Sequence, residues 1–166
     1  MNGIDIEAID ALASAVRGLL PKTDDPDLQP GVRVYPRRIV STGIGSLVGL
    51  NKEPRGEIYG RRLEARVDVT VKARTLEELA ASAMLFSRSL VGAGGADLRH
   101  RGIFRLRIQQ PEPGATHPVN GGPDTIAEQD LPVEVLFEYL KPPENTAGTI
   151  KEIRRNLDVS LCGGLS

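Results

Sequence analysis

The chain has 166 residues, with 21 Lys and Arg against 22 Asp and Glu, a net charge of −1 and one cysteine, Cys162. That balance gives no general drive toward nucleic acid or anionic membrane, and no apolar run approaches the roughly 20 residues that span a bilayer. One thiol cannot form an intrachain disulfide, which points to a reducing compartment.

Taken in chain order, MNGIDIEAID is acidic and amphipathic, unlike a secretory signal. Ile9, Leu12, Ala13, Val16, Leu19 and Leu20 fall on one helical stripe, which predicts a helix over residues 4–20, stopped by Pro21. TDDPDLQPG is rich in turn-forming Asp and Pro. VRVYP (Val32–Pro36) reads as a short strand with Val32 and Val34 on one face. From Ser41 to Gly60 glycines, prolines and scattered charges leave no usable period, so a long loop is expected there.

Strict alternation follows. Leu63, Ala65, Val67, Val69, Val71 and Ala73 share one side, while Glu64, Arg66, Asp68, Thr70, Lys72 and Arg74 share the other. This predicts a half-buried antiparallel strand. Thr75 and Glu78 have the spacing of a capping box. The helix they open carries Leu76, Leu79, Ala80, Ala83, Phe86 and Leu90 as its apolar stripe and ends at Gly92. Two more strands are expected. In one, Phe104, Leu106 and Ile108 point inward between Arg105 and Arg107; in the other, Val133, Val135, Phe137 and Tyr139 point inward between Glu134, Leu136 and Glu138. A second long loop, residues 109–130, separates them. The expected core joins Val67, Val69, Val71, Leu79, Phe86, Phe104, Leu106, Val133, Val135 and Phe137.

The pattern predicts one α+β domain over residues 1–140, with two helices on one face of a mostly antiparallel four-stranded sheet. Residues 141–166 form a C-terminal arm, with a short helix expected from about Ala147 to Leu157.

Candidate chemistry is sparse. His100 and His117 stand at no metal-ligand spacing from each other or from Cys162. GIGSLVG (Gly43–Gly49) lacks the Lys-Ser/Thr of a phosphate-binding loop, and DDPD lacks the glycine and distal glutamate of a calcium loop. Both read better as loop and turn chemistry. No nucleophile–base pair or carboxylate pair can be nominated, so neither a catalytic residue nor a cofactor or metal is expected. What remains is the polar side of the sheet, where Arg66, Lys72, Arg105 and Arg107 meet Glu64, Asp68, Glu134 and Glu138. Such a field is either a solvated face with weak ion pairs, or a subunit interface or channel lining in which interspersed charges set register. With no aromatic expected among these charges, the face is a poor fit to RNA.

The order of elements resembles the tail terminator, or tail-completion, family of small α+β phage proteins. The likeness rests on an N-terminal amphipathic helix before VRVYP, a long connection to EARVDVTVKA running into TLEELAASA, and closing strands FRLRIQQ and VEVLFEYL. It covers residues 4–140 in layout. The resemblance implies a homo-hexameric ring that caps the tail tube, touching a tail tube protein on one side and a neck or head-completion protein on the other. A sheath protein is a further candidate neighbour. It also implies residence in the virion tail or neck after assembly in the bacterial cytoplasm, with no catalytic residue to carry over. The 109–130 loop and the arm exceed what a minimal terminator needs, which leaves open a related neck protein or the cap of a contractile injection system. From a different class, a small enzyme or ligand-binding domain would use residues 41–60 as a lid.

Overall fold

In the computed structural model the described residues are 1, 3–52, 55–110, 116–119, 126–141 and 143. Their elements are α1 (Gly3–Arg17), β1 (Gly31–Ser41), β2 (Leu47–Lys52), β3 (Arg55–Ala73), α2 (Leu76–Gly92), α3 (Gly95–His100), β4 (Ile103–Ile108), β5 (Thr116–Val119) and β6 (Ile126–Lys141). The strands make one antiparallel sheet in the order β1-β3-β6-β4, with β2 added to β3 and β5 added to β6. The class is α+β. Among the described residues no helix is long and apolar enough to cross a membrane.

β3 is the spine of the sheet because its alternation is unbroken. Leu63, Ala65, Val67, Val69, Val71 and Ala73 are all at most 3% exposed. Leu131, Val133, Val135 and Phe137 of β6 join them, and α1 and α2 close the layer with Leu12, Val16, Leu79, Phe86 and Leu90. Both helices therefore cover one face, as their stripes predict. α2 starts where expected, for the Thr75 hydroxyl accepts the Glu78 amide at 3.2 Å and occupies an otherwise orphan donor. α1 ends at Arg17, earlier than residue 20, and Leu19 and Leu20 reach the core from the turn that follows.

Four expectations need correction. Residues 41–60 are not a long loop but most of a hairpin, in which β2 pairs with an extended start of β3. Its alternation is hidden by a register shift between Leu47 and Gly49 and by a turn with left-handed backbone at Gly43, Gly45 and Ser46. At Gly43, φ is +92° and a Cβ would fall 2.3 Å from the Leu47 carbonyl oxygen, so only glycine fits. The 109–130 loop is likewise interrupted by β5 and by the early start of β6. Pro132 obscured that start. It is tolerated because its carbonyl, and so its hydrogen-free nitrogen, faces the edge beyond the last residue of β4, where the carbonyl accepts the Gln109 amide at 2.8 Å.

The third correction is Phe104, expected in the core and found 53% exposed. A register shift between Ile103 and Arg105 puts Ile103 inside instead, fully buried, while Phe104 and Arg105 both stand on the polar face. The fourth is within the α2 stripe. Leu76 is 68% exposed, and Ala80 is exposed as well. The C-terminal helix expected near Ala147–Leu157, most of the arm and Cys162 lie outside the described residues.

Candidate functional site

The polar sheet face is built by alternate residues of four neighbouring strands, and register decides which charges meet. Arg66 of β3 lies opposite Tyr35 of β1 and Glu134 of β6, and Glu134 lies opposite Arg107 of β4. Of the eight residues singled out in sequence, Arg66 and Asp68 pair within β3 at 2.7 Å, and Lys72 reaches Glu128 of β6 at 3.4 Å. Glu134 is taken by Arg37 at 2.7 Å and Glu138 by Arg62 at 3.4 Å. Glu64, Arg105 and Arg107 are exposed and form no ion pair among the described residues. Among the described residues the face thus satisfies most of its own charge, and the Arg105 and Arg107 guanidinium groups on β4 have no ion pair there.

Several contributors were not legible in sequence. Arg37 lies past the point where the β1 strand was expected to stop, within a register shift between Pro36 and Arg38. Thr70, only 4% exposed, donates to Asp130 at 2.5 Å and accepts from Arg33 at 3.4 Å. The face also carries aromatics, contrary to expectation. Tyr35 is 47% exposed, and the Arg62 guanidinium lies 6.0 Å from the centroid of the Phe104 ring. Mixed arginine and aromatic exposure is the composition of protein-binding surfaces, in which lysine is depleted.

Toward the hairpin end of β3 the N-terminal part of α1 clamps the sheet. Asp5 accepts from Arg61 at 2.7 Å with both side chains mostly buried, and Glu7 accepts from Lys141 at 2.9 Å and from the Tyr139 hydroxyl at 3.4 Å. Acidic side chains there also suit the positive end of the helix dipole. Burial, then the Glu7 carboxylate, raises the Tyr139 phenol above its ordinary value. A hollow beneath the 42–46 turn is lined by Asp5, Ile39, Ser41, Gly45, Ser46 and Arg61, but its two charges are spent on each other.

Beyond the clamp the β2–β3 hairpin continues, and among the described residues no helix lies against it; there β2 packs chiefly on β3. The hairpin leaves Ile44 91%, Leu50 76%, Val48 43% and Leu47 38% exposed, with Tyr59 at 38% beside them. Tyr59 donates to the Glu57 carboxylate, which raises its phenol above the usual value. On α2, Leu76, Met84, Leu85 and Val91 are 56–72% exposed, spread over about half of the helix circumference.

The remaining sequence candidates fall elsewhere. Asp25 caps the turn Pro26–Leu28 by accepting the Asp27 amide at 3.0 Å and holds Arg74 at 2.8 Å, so DDPD is turn chemistry. His100 is exposed on α3, and His117 lies on β5. Among the described residues no three His, Cys, Asp or Glu side chains gather as metal ligands. Neither the known protein-family models nor the curated proteins give a match to this chain.

Proposed function

We propose that this chain is a structural subunit of a phage or phage-like tail, forming a homo-hexameric ring that ends the tail tube and joins it to the neck. The observation that supports the reading best is the hairpin: a two-stranded element with exposed large apolar side chains and, among the described residues, no second layer. Hairpins of that kind are marginal alone, and apolar patches of several hundred Å² mark contact surfaces. A ring uses such an element well, because closed cyclic symmetry repeats one heterologous contact at every junction. Arg105 and Arg107 on edge strand β4, without an ion pair among the described residues, supply charge for a neighbour, the tail tube protein or the neck protein, and discourage strand-to-strand aggregation. In this reading the chain carries no catalytic group; its chemistry is assembly.

Negative-stain microscopy of the purified protein, alone and mixed with tail tubes, tests the reading. Sixfold rings seated on tube ends are the expected images. A monomer that leaves tube ends bare would rule the reading out.

A further inference from the structure

The pairing of β6 with β3 stops at Lys141, because Pro142 and Pro143 carry no amide hydrogen with which to extend the ladder. Pro143 is the last described residue, and its ring lies against Gly56, where any Cβ would collide with it. Alternation puts Gly56, Ile58 and Gly60 of β3 on one side of the hairpin, the side continuous with the polar sheet face. Val48 and Leu140 flank Gly60 there, 2.8 and 2.9 Å from where its Cβ would stand, and they are 43% and 47% exposed. Over Gly49, which pairs with Ile58, a Cβ would meet nothing within 4 Å. The result is a shallow apolar trough, floored by glycine, with Pro143 at one end. We infer that its occupant is the C-terminal segment of the same chain, residues 144–166, packed there through Ile150, Ile153 and Leu157.

Pattern, length and reach agree. Thr149 and Glu152 have the spacing of a capping box, and Ile150, Ile153 and Leu157 share one face of the helix that it would open. From Ile150 to Leu157 such a helix covers about 10 Å, and the trough from Gly56 to Gly60 runs about 13 Å at strand rise. The connection 144–149 spans up to about 20 Å when extended, enough to seat the stripe anywhere in the trough. A helix this short is marginal in water and depends on a surface for its apolar side. The short tether holds the segment at roughly millimolar effective concentration over its own hairpin, which favours it there over a neighbour's tail. Leu47, Leu50 and Tyr59 stand on the opposite side of the hairpin and are left for another subunit. The inference therefore goes beyond the ring reading and does not depend on it.

The test uses the full-length chain and its one cysteine, Cys162, a few residues beyond Leu157. Val48→Cys places a second thiol in the trough, and a long-armed bismaleimide should join the two within one chain, giving a cross-linked monomer on a denaturing gel. Adding Ile153→Glu should remove most of that product, whereas Arg155→Glu, on the far side of the stripe, should keep it. Amide exchange should move in parallel. In Ile153→Glu without the added cysteine, exchange at Leu47–Lys52 should quicken by at least about tenfold, as expected when an aliphatic side chain leaves its packing. Exchange at Val67–Val71 should not change.

Covalent dimers in place of cross-linked monomers would overturn the inference by putting the tail on a neighbouring chain. An equal yield of cross-linked monomer in the Ile153→Glu chain would show a tail that is near the hairpin without packing on it. Unchanged exchange at Leu47–Lys52 would leave the trough empty, and faster exchange at Val67–Val71 as well would assign the tail to the core instead. A monomeric parent that still gives the intrachain product would keep this inference and sink the ring reading.

Discussion

Two phenylalanines that the sequence pattern places in the core, one on a helix and one on a strand, have opposite fates, and the difference is measurable. Phe86 is 7% exposed against the sheet, so Phe86→Ala should cost roughly 3–5 kcal/mol by the usual loss for a buried aromatic. Phe104 faces solvent beneath Arg62, where a cation–ring contact contributes at most about 1 kcal/mol. Chemical denaturation of Phe104→Ala should therefore show a small loss; a loss as large as that of Phe86→Ala would restore the register that simple alternation predicts. The inward set of β3 was readable because period two holds without interruption from Leu63 to Ala73. Phe104 was not, since a one-residue bulge reverses every side chain before it and leaves no mark in hydropathy. Asp25 makes a pH prediction at the same scale. Its hydrogen bond from Arg74, helped by the Asp27 amide, lowers its pKa from the ordinary 3.8. Its stabilising effect is thus complete above 3.8 and fades as pH falls through the lower folded-state value. Asp25→Asn should flatten the acid limb of a stability-versus-pH curve slightly, and an unchanged limb would mean that the pair with Arg74 is absent in solution.

At the scale of elements, helices were the most legible because their boundary chemistry is local. Thr75 followed by Glu78 marks the start of α2, and Thr75→Ala should cost about 1 kcal/mol through the orphaned Glu78 amide. A thermal midpoint equal to that of the parent would show that the cap contributes nothing. The hairpin was illegible for a physical reason. Its strand signal depends on pairing between β2 and β3, and the glycines that permit the left-handed turn are the same residues that suggest a loop. As a two-stranded element with no second layer among the described residues, it should open more readily than the core of β3. Amide exchange in the isolated subunit should be faster at Leu47–Lys52 than at Val67–Val71, and assembly should slow the former. Equal protection in free and assembled protein would indicate that the hairpin meets no neighbour.

At the scale of the molecule, the candidate site was only half visible. Sequence placed Glu64, Arg66, Asp68, Arg105, Arg107, Glu134 and Glu138 on one face, and register confirms that placement. It could not assign partners, because whether Glu134 answers Arg66, Arg107 or Arg37 depends on strand order and side-chain reach, which only the folded sheet fixes. With Glu134 and Glu138 already paired, the guanidinium groups of Arg105 and Arg107, without an ion pair among the described residues, become the parts of the face available to a neighbour. Arg105→Glu together with Arg107→Glu should leave the fold intact, since exposed charges contribute little to stability, but should weaken attachment to a tube or neck, most visibly at low salt. Normal attachment by that double variant would reduce the face to a solvated surface.

The central claim is assembly into a closed ring, and the mass of the full-length protein in solution tests it most directly. Sedimentation equilibrium should return six copies of the 17.9 kDa chain, with no larger species accumulating as concentration rises. A single 17.9 kDa species at every concentration, or an open-ended series of growing polymers, would contradict it.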